Sequence, residues 1–212
     1  MKTKPTILIS SPVYGLEELL DKVYSTLTAF GYEVWMSHKG TVPVRSDRTA
    51  FENCINAVEN CNLFLGIIAP FTYGSGVGEG SSISISHEEL REAIRLKKTR
   101  WLLTHDHVVF ARSFLRVLGY KTKVDRKKLN LNKNNVFADL RIIDMYEEAI
   151  LSELPLIDRK GNWVQKYETD DDAMLFTTSQ FSRFQEIEEF IRENLSDPKA
   201  VMAKAVKNGG VK

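Results

Sequence analysis

Glu89 is the residue around which the chemistry of this sequence gathers. It falls in residues 81–93, Ser-Ser-Ile-Ser-Ile-Ser-His-Glu-Glu-Leu-Arg-Glu-Ala, after a polar, glycine-punctuated loop over 73–80. The spacing predicts a helix with Glu89 in its first turn, and two roles compete for the residue. In one, Ser86 is the N-cap and Glu89, three residues on, reaches back to the Ser86 backbone N–H as a capping box. In the other, Glu89 is a carboxylate at the mouth of a cleft, because helix N-termini that follow a strand and loop face ligands in open α/β sheets. Leu90, Ala93 and Ile94 make an apolar stripe, and Glu88, Arg91, Glu92 and Arg95 a solvated face. Glu89 lies on the border between them, where a side chain is partly buried.

Other residues able to do chemistry cluster in segments that follow predicted strands. Ser10-Ser11-Pro12-Val13-Tyr14-Gly15 offers hydroxyls and a helix N-terminus that suit a phosphate or a ribose, or serve ordinary capping. Trp35, with His38, Lys39 and Arg45 beyond it, could stack on a base beside cations for phosphates, or Trp35 could be core. Ala69-Pro70-Phe71-Thr72-Tyr73-Gly74-Ser75-Gly76 leads on towards Glu89. The candidate substrate-binding set is therefore Ser10, Ser11, Tyr14, Trp35, Phe71, Tyr73, Gly74, Ser75 and Ser86. His105-Asp106-His107 invites acid/base chemistry, but a loop or capping role is the better expectation. No Gly-x-Gly-x-x-Gly follows the first strand, and there is no Walker loop or Gly-x-Ser-x-Gly elbow. These absences disfavour a dinucleotide dehydrogenase, an ATPase and a serine hydrolase.

The elements that must position these groups alternate. Residues 6–10 form a short β run, and Leu16, Leu19, Leu20, Val23 and Leu27 mark a helix stopped by Gly31. A second strand covers 32–36, and Phe51, Cys54, Ile55 and Val58 mark a second helix. The continuous apolar run 63–69 reads as a strand buried on both faces. After the Glu89 helix, 101–104 is a fourth strand, and Ala111, Phe114, Leu115 and Leu118 mark a helix closed by Gly119. This order predicts an α/β, doubly wound parallel sheet of flavodoxin-like or TIR-like type with a mixed C-terminal extension.

The domain expectation is a nucleotide-binding domain over 1–119, an extension over 120–198 that packs on it or lids its cleft, and a flexible tail over 199–212. Within the extension, 121–135 is basic and asparagine-rich, 139–151 is helical and 163–167 a short strand. Asp170-Asp171-Asp172 is a solvated loop or helix start, and Phe184, Ile187 and Ile191 mark a last helix.

Composition narrows the functional classes. A formal net charge of +1 gives no electrostatic case for nucleic acid or an acidic membrane. The longest apolar run is too short to span a bilayer, and no cleavable leader pattern opens the chain, so a cytoplasmic protein is expected. Two cysteines, Cys54 and Cys61, fit a reducing compartment and core packing. No metal site is expected.

Three stretches carry a resemblance: Ile-Ser-Ser-Pro-Val-Tyr-Gly-Leu-Glu-Glu (9–18), Leu-Phe-Leu-Gly-Ile-Ile-Ala-Pro-Phe-Thr-Tyr-Gly-Ser-Gly (63–76) and Ser-Ile-Ser-His-Glu-Glu-Leu-Arg-Glu-Ala (84–93). Together they resemble an uncharacterised bacterial family known as a numbered domain of unknown function. That family is similar to TIR domains and nucleoside 2-deoxyribosyltransferases. In TIR enzymes a Glu at the start of this helix cleaves the nicotinamide–ribose bond of NAD, and in deoxyribosyltransferases the similarly placed Glu attacks the sugar. The resemblance therefore implies that Glu89 is catalytic. It also implies that NAD is a substrate and not a cofactor, that the chain is a homo-oligomer, and that its role is in bacterial antiviral defence.

Two departures matter. Ala69-Pro70-Phe71 stands where deoxyribosyltransferases carry an Asp after the third strand, which favours NAD-type cleavage. Ile85-Ser86 stands where TIR enzymes carry Trp-Cys. The alternatives implied are a 2-deoxyribosyltransferase, a deoxynucleoside monophosphate N-hydrolase, or a non-catalytic interaction or nucleotide-sensing module.

Overall fold

Side chains alternate across a strand, and here both alternating sets are apolar. Ile7, Ile9, Leu63, Leu65, Ile67 and Leu103 enter one core; Leu8, Phe64, Ile68 and Leu102 enter another. A sheet apolar on both faces needs helices on both. A computed structural model describes residues 4–74, 83–132, 136–161, 163–183 and 186. Its strands are β1 (Thr6–Ser10), β2 (Glu33–Trp35), β3 (Leu63–Ile68), β4 (Thr99–His105) and β5 (Val164–Tyr167). They form one parallel sheet in the order β2-β1-β3-β4-β5, the doubly wound architecture expected from the sequence.

Helices α1 (Glu17–Ala29) and α7 (Asp170–Phe181) supply the first core, with Leu19, Val23, Leu27, Ala173 and Phe181. The second core belongs to α2 (Ala50–Asn60), α3 (Ile85–Arg95), α4 (Asp106–Val117) and α6 (Arg141–Ala149), through Val58, Leu90, Val108 and Ile143. The short α5 (Lys123–Arg126) lies in the basic segment read as loop or hairpin.

Local signals set the boundaries. Gly31 follows α1 with φ +99°, a backbone state glycine adopts without strain. Thr49 and Thr169 start α2 and α7 with full capping boxes. Residues beyond Gly119 are integral to the fold, because β5 pairs with β4 in the register Leu102↔Val164 to His105↔Tyr167. Asp170-Asp171-Asp172 is the first turn of α7, where acidic side chains favour the helix N-terminus. The expected last helix through Phe184, Ile187 and Ile191, and the tail over 199–212, lie outside the described residues. No described helix is long and apolar enough to cross a membrane.

Candidate functional site

The strand order reverses between β1 and β3, since β1 leads to β2 on one side and β3 leads to β4 on the other. Ligands in open α/β sheets bind at such a switch point, outside the carboxyl ends of the strands. Ser10 is the last residue of β1 and shares the Leu8 face, towards α2 and α3. It pairs in register with Gly66 of β3.

Glu89 meets Ser10 there. The Ser10 hydroxyl donates to Glu89 Oε2 at 2.5 Å, and both residues are buried, at 2% and 7% exposure. The Cys54 thiol, from the first turn of α2, is a second hydrogen-bond partner of the same carboxylate. Burial pushes the Glu89 carboxyl up to about 7, while the bonds from Ser10 and Cys54 work the other way. Burial, then the nearby carboxylate, pushes the Cys54 thiol up to about 12, so it stays a neutral donor.

This geometry corrects the capping-box reading. The N-cap is Ser84, extended at φ −78° and ψ 158°, and its hydroxyl accepts from the His87 N–H. Ser86 is a buried residue inside the helix and Glu89 stands in the second turn. From there a side chain no longer reaches the cap backbone, and Glu89 turns towards β1 instead. The helix starts earlier because Ser84, two residues before Ser86, already supplies the capping hydroxyl.

The other sequence candidates have varied surroundings. The Ser11 hydroxyl donates to the Pro12 carbonyl, and Tyr14 is 73% exposed. Trp35 is half-buried on edge strand β2 and its indole N–H donates to Glu33. Phe71 packs against Gly15, where an added Cβ would sit 3.2 Å from its own, and meets His105 edge-on at 5.3 Å. Gly74, at φ +88°, is close to Pro12 and Ser84. Ser75 lies outside the described residues.

Tyr73 is buried with its hydroxyl 2.6 Å from His87 Nδ1, and the Arg141 guanidinium stacks 4.4 Å over its ring. His87 Nε2 is in turn 3.1 Å from Glu148 Oε2, and Arg91 grips Glu148 through two bonds of 2.7 Å. Burial works to raise the Glu148 carboxyl, but Arg91 and His87 outweigh it and hold it at about 2. Thus Glu89 faces β1 and α2, whereas His87, two residues earlier and about 200° round the helix, faces α6.

Sequence reasoning missed Cys54 as a site residue. Its signal was position: it opens the apolar stripe of the helix that precedes β3, which places it near the switch point. His105, Asp106 and His107 bring ligand-capable atoms within 4.8 Å of one another, a spacing compatible with a metal ion. His105 is the N-cap of α4, however, and its Nδ1 already accepts from the His107 N–H. That makes capping the role the geometry shows.

Comparisons with known proteins add a family and little else. Among curated proteins, none matches the sequence. Among solved structures, the TIR domains of the activated Roq1 resistosome directly recognizing the pathogen effector XopQ superpose with a TM-score of 0.41 and 11% identity. That alignment covers 97% of this chain and 99% of the other, and the likeness is too weak to assign a function. The family of the domain of unknown function DUF4062 matches residues 6–196, most of the chain, and to that family this protein belongs.

Proposed function

We propose that the protein cleaves the N-glycosidic bond of a nucleotide, with NAD as the first substrate to test and Glu89 as the catalytic carboxylate. The observation that carries this reading is a buried glutamate at the sheet's switch point, bonded to Ser10 and not to its own helix cap. In such a reaction the bond between C1′ and the base nitrogen breaks, and its electron pair leaves with the base. The sugar is left with positive charge shared between C1′ and the ring oxygen. A desolvated carboxylate beside that centre stabilises it far more than one in water. Water then adds at C1′ and releases a proton. Ser10 and Cys54 orient the carboxylate, and bacterial antiviral defence is the setting the sequence resemblance suggests.

The test is nicotinamide release from NAD, in dilute and in concentrated protein, with a deoxynucleoside monophosphate offered in parallel. Glu89→Gln keeps the shape and removes the charge. It is expected to lower turnover about a thousandfold, roughly 4 kcal/mol of barrier. Equal rates for the two proteins would remove Glu89 from the chemistry.

The slight exposure of Glu89 favours one second reading, a nucleotide-sensing module without turnover. Saturable nucleotide binding with no release of base at any protein concentration would select it.

A further inference from the structure

Residues 121–128, Lys-Thr-Lys-Val-Asp-Arg-Lys-Lys, hold five cations and one acid in a chain whose net charge is only +1. The proposed reaction uses none of them. The fold sets this run against a cavity of about 380 Å³ lying between α3, α5 and α6, on the side of α3 away from Glu89. Four cations line it, Lys123, Arg126, Lys127 and Arg141, against two carboxylates, Asp139 and Asp144.

Both carboxylates are already engaged. Asp139 is bound by Arg141, and Asp144 accepts from Arg126 at 2.6 Å with Lys123 only 3.8 Å away. Arg126 is 3% exposed and also reaches Glu147, so it serves as the fixed back wall. Among the described residues, no carboxylate pairs with Lys127. The cavity therefore keeps an excess of positive charge at its lysines, and Leu129 and Leu140 add an apolar wall.

We infer that this cavity binds a phosphorylated small molecule of nucleoside-phosphate size. Its phosphates meet Lys123 and Lys127, and its apolar part meets Leu129 and Leu140. The volume lies within the range of small-molecule sites, and a few placed charges in a partly apolar cleft are their usual make-up. The site is separate from Glu89 and does not depend on catalysis there. Because His87 and Tyr73 also line it, an occupant would rest against the same helix that carries Glu89.

The experiment is calorimetric titration of the full chain with ADP, with inorganic pyrophosphate and with adenosine. Expected are saturable 1:1 binding of ADP, weaker binding of pyrophosphate, and none of adenosine. The Lys123→Ala/Lys127→Ala protein, whose altered side chains are exposed, is expected to bind ADP at least tenfold more weakly with unchanged circular dichroism. Glu89→Gln is expected to bind ADP as the wild type does, which separates this site from the proposed reaction. Failure of the wild type to bind either phosphate compound overturns the inference. So does equal ADP affinity in the double-lysine variant.

Discussion

At the scale of the residue, the burial of Glu89 has a cost that can be measured. In the unfolded chain a glutamate loses its proton near 4.5, and in the fold Glu89 holds it to about 7. Below 4.5 both states are protonated and the group contributes no pH dependence. Between 4.5 and 7 the unfolded chain ionises first, so stability falls as pH rises and levels off above 7. That displacement corresponds to roughly 3 kcal/mol. Glu89→Gln cannot ionise, so it is expected to match the wild type near pH 4.5 and exceed it at pH 8, read by urea denaturation at each pH. A wild type that is equally stable relative to the variant at both values would mean the carboxylate is well solvated. Cys54→Ala removes one of the two donors that favour the ionised form, and should move the midpoint of this pH dependence upward. The sequence made Glu89 conspicuous through its spacing, yet concealed Ser10 and Cys54 as its partners. They are 79 and 35 positions away, and only the strand order brings them to one point.

At the scale of the element, the strands and most helices could be read from periodicity because each buries one clear face. β3 is apolar at nearly every position and is buried throughout. Its one exception in size, Gly66, is a packing requirement. A Cβ there would lie 2.7 Å from Leu102 Cδ2 and 3.1 Å from the Phe64 ring, both in residues with no exposure. Gly66→Ala is expected to destabilise the fold by about 1–3 kcal/mol, visible as a lower midpoint of chemical denaturation. A midpoint at or above the wild type's would show that Leu102 has room to yield. Helix boundaries were less legible than cores. Two serines stand two residues apart before α3, and either could cap it. The pairing of the Ser84 hydroxyl with the His87 N–H settles the choice. α7 was legible only as a start, because its apolar residues do not fall into one narrow stripe; Leu175 is 69% exposed while Phe176 and Phe181 are buried.

At the scale of the whole molecule, the sequence predicts a break at Gly119, where composition turns basic and periodicity fades. The fold nevertheless runs through that point. β5 forms the sheet's far edge, and α7 returns to pack beside α1. Phe181 is fully buried, stacks near Trp101 at a centroid distance of 4.8 Å, and its carbonyl accepts from the Tyr32 hydroxyl. Phe181→Ala is expected to cost about 3–5 kcal/mol, followed through Trp101 fluorescence during denaturation. The fragment 1–119 leaves the apolar faces of α1 and β4 uncovered. It is expected to lose the near-UV circular dichroism of the full chain, and a fragment that keeps it would show that the later elements are dispensable.

The seat of Phe181 also has a consequence for biosynthesis. Helix α1 is complete at Ala29, but the residues that cover its flank are translated roughly 150 codons later. At about 5–20 residues per second, the nascent polypeptide travels with this greasy flank open for roughly ten to thirty seconds. A ribosome-bound holdase would find its binding surface during that interval and lose it when Phe181 leaves the exit tunnel and docks.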